Sequence, residues 1–227
     1  MGQMELFDKP EFDLNKPSTF SVPQELAKLF ELNVDAFYAA LYARMSELPI
    51  EAEISRFIEK VGKVKDRATA ARLAYDRGDP DVLTVLKAAY KVQHEIHRLT
   101  GFLRFSPDAQ GVYVARCEPD FFILPALAEH FTLRFGETPW AVIDEKRGIC
   151  LCGGDGGQAR LMVASEYVTS KNEAENSAEA MVFVEDGASV EELWRLYHRS
   201  ISIEIRKNPD LQRQFIPKRY QKHLNEL

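Results

Sequence analysis

Between Gly101 and Cys117 the chain reads GFLRFSPDAQGVYVARC, and within these residues the spacing of the apolar side chains changes. Alternation puts Leu103 and Phe105 on one face and Phe102 and Arg104 on the other, the period of a strand. Pro107, Asp108 and Gly111 supply turn chemistry before the second apolar run, VYVARC. The stretch reads as a β-hairpin.

Working outward toward the N-terminus, the period becomes helical. Asp79 is placed to cap a helix with Pro80 in its first turn, and the apolar stripe runs Val82, Val85, Leu86, Ala89, Val92, Ile96, Leu99 until Gly101 ends it. Toward the C-terminus, Phe121 to Phe135 is again helical, with Pro125 near its start. WAVIDEKRGICLC, Trp140 to Cys152, then gives two short strands around an Asp-Glu-Lys-Arg-Gly turn. The order is ββαββ, and the expectation is an α+β protein built on a four-stranded antiparallel sheet carrying one helix.

Farther out, one helical pattern covers Pro23 to Met45, with Leu26, Leu29, Phe30, Phe37 and Leu41 at three-to-four spacing, and another follows Pro49. Residues 1–22 read as a flexible acidic leader broken by prolines. Residues 23–227 read as a single α+β domain with a helical part (23–99), the ββαββ part (100–152), a mobile insertion (153–187) and basic C-terminal helices (188–227). The insertion contains GGDGG and SKNEAENSAEA around at most one strand, ARLMVA. GGDGG lacks the Lys-Ser or Lys-Thr that a phosphate-cradling nucleotide loop requires. Ser189 and Glu192 form a capping box for a helix burying Val190, Trp194, Tyr197, Ile201 and Ile205.

A hydrophobic content of 45% over 227 residues suffices for a real core. No apolar run approaches the roughly 20 residues that span a bilayer, and the acidic N-terminus is unlike a secretory signal, so a cytoplasmic protein without a membrane partner is expected. Cys117, Cys150 and Cys152 are odd in number and lack the paired spacing of a zinc or iron-sulfur site, which suits free thiols in a reducing compartment. No cofactor is expected in this chain.

The net charge of −6 is unevenly spread. Residues 60–107 carry 10 Lys and Arg against 5 Asp and Glu, and residues 199–223 carry 7 against 2, whereas 1–59 and 108–198 are acidic. On a helical wheel Lys87, Lys91, His94 and Arg98 form one row away from the apolar stripe, and Arg195, Arg199, Ser202 and Arg206 form another. Such rows can hold phosphates or simply be solvated faces. With Arg104, Arg213, Lys218 and Arg219 they make a candidate nucleic-acid surface, beside Tyr220, whose ring either stacks on a base or packs on Leu224.

GFLRF, EPDFFILPALAEHFTLRF and NPDLQRQFIPKRYQKHL together resemble an uncharacterised bacterial family labelled "probable DNA metabolism protein", a domain of unknown function. The likeness is close from Asp79 to Leu227 and fainter from Pro49 to Gly78. It implies a link to DNA repair or base modification. Relatives are paired with a radical-SAM protein, and some are joined to a uracil-DNA glycosylase-like domain. The resemblance thus implies a radical-SAM partner carrying S-adenosylmethionine and an iron-sulfur cluster, since this chain lacks the radical-SAM cysteine triplet. It departs from the family pattern in having Phe121 where a histidine is expected after Glu118-Pro119-Asp120.

A candidate catalytic constellation is Glu118, Asp120, His130 and Arg134. The carboxylates could act as acid and base or hold a cation, the histidine could relay a proton and the arginine could clamp a phosphate. The ordinary alternative has Asp120 capping a helix, Glu118 paired with Arg134 and His130 half-buried. His94 and His97, three apart on a helix, lack a third metal ligand and suit a surface role. At the N-terminus QMELF is similar to the bacterial sliding-clamp-binding peptide, with Gln3, Met4, Leu6 and Phe7 as partner-binding residues. The plain alternative docks Leu6 and Phe7 on the chain's own helices. The expected function is a DNA-binding accessory in repair or base modification. A nucleic-acid-processing enzyme using the Glu118 region and a protein adaptor without DNA contact are the rival readings.

Overall fold

The computed structural model describes residues 24–154, 159–167, 216, 218–221 and 224. Five helices come first: α1 (Gln24–Leu32), α2 (Val34–Met45), α3 (Glu51–Gly62), α4 (Arg67–Ala74) and α5 (Pro80–Phe102). The pattern from Pro23 to Met45, read above as continuous, is two helices. Asn33 is extended there, and its side-chain oxygen accepts from the Ala36 N–H at 2.7 Å. A short side chain that satisfies an orphan N–H starts a new helix more cheaply than it continues the old one.

Asp79 caps α5 as its position predicts, accepting from the Asp81 and Val82 N–H groups at 2.9 and 3.1 Å. Lys60 of α3 pairs with Asp79, and Arg56 of α3 grips Asp81 through two hydrogen bonds of 2.9 and 2.8 Å. These ties fix α3 against the start of α5. A first core of Leu26, Leu29, Phe37, Ile54, Phe57, Val61, Val82 and Val85 fills the space among α1, α2, α3 and α5.

α5 runs past Gly101 to Phe102 and Leu103 caps it, so the expected strand over Phe102 to Phe105 does not form and, where a turn was expected, Ser106–Pro107 makes the two-residue β1. It pairs antiparallel with β2 (Tyr113–Cys117). The turn is held by Asp108, whose side chain accepts from the Gln110 and Val112 N–H groups at 3.0 Å, and by Gly111 at φ 78°. After α6 (Leu124–Phe135) come β3 (Trp140–Asp144), β4 (Ile149–Gly153) and β5 (Arg160–Val163), and Lys218–Gln221 forms the short α7.

The four-stranded antiparallel sheet expected above is instead five-stranded and mixed, in the order β1-β2-β3-β4-β5. β2 and β3 are parallel, Tyr113 opposite Trp140 through Cys117 opposite Asp144, whereas the other three pairings are antiparallel. The reason is the connection. The 12-residue α6 carries the chain back along the sheet, so β3 must start from the same end as β2.

The central strand β3 is buried at all five positions because both its faces are covered. On one face Trp140 and Val142 pack with Phe131 of α6, Leu99 of α5 and Leu127 in a second core. On the other, Ala141, Ile143 and Cys150 form a smaller cluster under Val114, Cys152, Met162 and Tyr167. β4 ends on two glycines with separate reasons. A Cβ at Gly153 would press on the Trp140 indole at 3.0 Å, and one at Gly154 would lie 2.1 Å from the Thr138 carbonyl oxygen at a φ of 103°.

Candidate functional site

Parallel strands deliver their carboxyl ends to one edge, where crevices in such sheets most often bind ligands. Here β2 ends at Cys117 and β3 at Asp144, directly opposite each other. Around these ends lies a buried polar cluster that the sequence reading did not identify: Glu95, Asp144, Arg147 and the hydroxyl of Tyr220.

Glu95 projects from the buried face of α5 and is 3% exposed. Its two carboxylate oxygens accept from the Asp120 and Phe121 N–H groups, both at 2.9 Å, and one of them also accepts from the Tyr220 hydroxyl. Asp144 is fully buried. Its Oδ1 accepts from the Lys146 and Arg147 N–H groups at 3.0 and 3.1 Å, and its Oδ2 accepts from the Arg147 guanidinium at 2.9 Å. Arg147 donates further to the Pro119 carbonyl at 3.1 Å, the Asp120 carbonyl at 2.9 Å and the Glu47 carboxylate, while Lys146 reaches the Asp120 carbonyl at 3.0 Å. Burial works against the Arg147 cation, but the hydrogen bonds it donates to Glu47 and Asp144 outweigh it and hold the guanidinium protonated.

The loop between β2 and α6 is thereby held on every side. Glu95 takes the N–H groups of residues 120 and 121, the Met45 carbonyl takes that of Phe122 at 3.0 Å, and Arg147 and Lys146 take the carbonyls of 119 and 120. Backbone groups that would otherwise be orphaned away from water are paired, which makes the loop a rigid platform. Beneath it Cys117 is buried against the Ile143 carbonyl. Its thiol is pushed up by burial and then by the charges of Asp144, Glu95 and Glu145, which disfavours a nucleophilic thiolate there.

The four residues of the candidate catalytic constellation divide between the loop and α6. Glu118 is half-buried and Asp120 exposed on the loop, while His130 and Arg134 are both exposed on α6. Arg134 sits ten residues along from Leu124, about 15 Å down the helix axis. Its guanidinium lies over the rings of Phe105 and Phe135, 6.0 and 5.7 Å from their centroids. Nor does Asp120 cap α6, whose cap position is Ile123 without a side-chain hydrogen bond. Among the described residues no group of three or more His, Cys, Asp or Glu side chains could hold a metal ion.

The cationic row on α5 is present as spaced. Lys87 and Lys91 are exposed, His94 and Arg98 half-buried, and Tyr90 stands among them at 66% exposure. Arg104 turns back on its own helix end, donating to the Gly101 carbonyl at 2.7 Å. Lys218 is exposed on α7. Tyr220 is corrected: at 2% exposure, with its ring against Phe102, it belongs to the second core and offers no face to a base. Gln3, Met4, Leu6, Phe7, Arg206, Arg213 and the side chain of Arg219 lie outside the described residues.

Glu95 had a readable signal, since it falls three residues after Val92 and four before Leu99, inside the apolar stripe. A lone carboxylate there must find donors. Asp144 and Arg147 had none, because the DEKRG run that contains them is ordinary turn chemistry.

Fold and site together define a mixed α+β protein with a βαβ centre, a polar clamp at the ends of its parallel strands and a basic helix face. The chain belongs to the DUF4130 family, a domain of unknown function whose profile matches residues 50–226. Neither the curated proteins nor the solved structures contain a match to it. No helix among the described residues is long and apolar enough to cross a membrane.

Proposed function

We propose that this protein is a DNA-binding accessory in DNA repair or base modification, working beside a radical-SAM partner that carries S-adenosylmethionine and an iron-sulfur cluster. The partner and pathway rest on the family resemblance. The contact with DNA rests on one observation, the solvent face of α5, where Lys87 and Lys91 are exposed on the row that His94 and Arg98 continue. Eleven residues separate Lys87 from Arg98, a rise of about 16 Å along which phosphates can be met. The long helix is braced along its other side by both cores, so the face is presented rigidly. Lys218, which is exposed, and Arg206, Arg213 and Arg219 are proposed to join this surface.

The test is equilibrium binding of short DNA at several salt concentrations. Affinity should fall linearly on a log-log plot, and replacing Lys87 and Lys91 by Glu should reduce the slope by roughly 1 per lost phosphate contact while the thermal melt stays in place. Wild type without salt-sensitive DNA binding would hand the reading to the protein adaptor. The enzyme reading draws less support, because Arg134 faces aromatic rings at the far end of α6 from Asp120.

A further inference from the structure

We infer that the α5 face selects single-stranded DNA, with Tyr90 as the platform on which an unpaired base stacks; this rests on the DNA-binding reading above and deepens it. Four aromatic side chains are markedly exposed among the described residues, and Tyr90 at 66% exceeds Phe30 and Tyr75 at 52% and Tyr38 at 42%. It is also the one set within a cationic row. Lys87 precedes it by three residues, Lys91 follows by one and His94 by four, so all four share a helix sector opposite the buried Val85, Ala89 and Val92. The Tyr90 and His94 rings lie 5.9 Å apart at an interplanar angle of 36°. His94 therefore braces the tyrosine from the following turn while most of Tyr90 remains in solvent.

An aromatic ring exposed between ammonium groups has a specific use with one form of DNA. A duplex offers α5 its phosphates, but its bases are stacked on one another and present only edges in the grooves. A single strand offers phosphates to Lys87 and Lys91 and a free π-face to Tyr90 at the same time. Because every base has such a face, the recognition is of strandedness and not of sequence. A protein serving base modification gains access this way to a nucleotide already out of the duplex.

The experiment is fluorescence anisotropy with a labelled oligothymidylate of about 12 nucleotides, the abasic strand of equal phosphate number and a duplex of equal length. Full-length wild type, Tyr90→Ala, Tyr90→Phe and the Lys87→Glu/Lys91→Glu variant are compared. Wild type is expected to bind oligothymidylate more tightly than the duplex or the abasic strand. Tyr90→Ala should weaken oligothymidylate binding by roughly 5- to 150-fold, bring the base-bearing and abasic strands to equal affinity and leave the salt slope unchanged. Tyr90→Phe should behave as wild type. Salt-sensitive binding that ignores Tyr90→Ala, or that favours the duplex or treats abasic and base-bearing strands alike, overturns the stacking inference and leaves the DNA-binding reading intact. Absence of salt-sensitive binding to all three probes overturns both.

Discussion

Replacing Arg147 by Met tests whether the loop between β2 and α6 depends on its clamp. Methionine keeps most of the aliphatic stem and removes the guanidinium. Asp144, with no exposed surface, then loses the cation on Oδ2 and keeps only the two backbone N–H groups on Oδ1, while the Pro119 carbonyl loses its donor. Breaking a buried pair from one side costs about 3–5 kcal/mol, since an uncompensated charge stays behind. The Glu47 contact, whose carboxylate is 53% exposed, adds at most about 1 kcal/mol. The buried pair therefore dominates. In a chain of this size the loss corresponds to a fall in Tm of roughly 6–20 °C. Urea unfolding measures it as a lower midpoint at constant slope. Asp144→Asn in the same molecule should restore a good part of the stability by removing the stranded charge. A loss under about 1 kcal/mol, or one that disappears in high salt, is surface behaviour and would refute the reasoning.

Gly154→Ala should destabilise by at least about 1–3 kcal/mol from backbone strain, with the Thr138 contact adding to it, whereas Gly148→Ala, at φ 65° with open space around its Cβ, should be milder; paired thermal melts compare the two. Native Cys117, whose thiol is pushed upward by burial, and Cys150, whose thiol is pushed upward by its hydrogen bond with Cys152 and then by burial, should resist iodoacetamide at pH 8 and react once urea is added, as read by peptide mass spectrometry. Asp66 caps α4 through the Thr69 N–H at 2.8 Å, and the hydrogen bonds from Thr69 hold its carboxyl below the ordinary range. Its stabilising effect should be complete above the unfolded value of about 3.9 and fade as pH falls through the lower folded value; Asp66→Ala should remove that part of the pH dependence of unfolding. We also propose that Gln3 to Phe7 bind the bacterial sliding clamp; a Met1 to Phe12 peptide should then bind it in calorimetry and lose that binding on Leu6→Ala with Phe7→Ala.

What could be read from the sequence was local. Asp79, Pro80 and the stripe from Val82 to Leu99 specify α5 because cap, first turn and periodicity agree. β2, β3 and β4 were legible for the same reason, but the first strand was not, since the expected alternation from Phe102 to Phe105 gives way to the end of α5, and neither was the pairing across α6. A strand buried on both faces has the same composition whichever way its neighbour runs, and only the helical connection carries the direction. The break at Asn33 was hidden because leucine and phenylalanine spacing continues through it. At the site, the α5 row followed from 3.6-residue geometry alone. The clamp did not, because its donors and acceptors come from Glu47, Glu95, Asp144 and Arg147, which no window of sequence brings together. The position of Arg134 was missed for a related reason. A helix long enough to connect parallel strands carries its last turn away from its first.

The hydrogen bond between Tyr220 and Glu95 joins residues 125 apart in the chain. Closing a loop of that length in an unstructured chain costs about 4 kcal/mol, far more than one such bond returns. It forms at a profit only after the sheet and α6 have already drawn the intervening chain together. The helical layer is drawn from residues 24–102 alone and closes shorter loops, so it can assemble early, but Glu95 must wait for the Tyr220 hydroxyl until the sheet has formed. The tyrosine thus acts late in folding. Its loss should leave the refolding rate nearly untouched and speed unfolding, making residue 220 a determinant of how long the native state lasts and not of how fast it is reached.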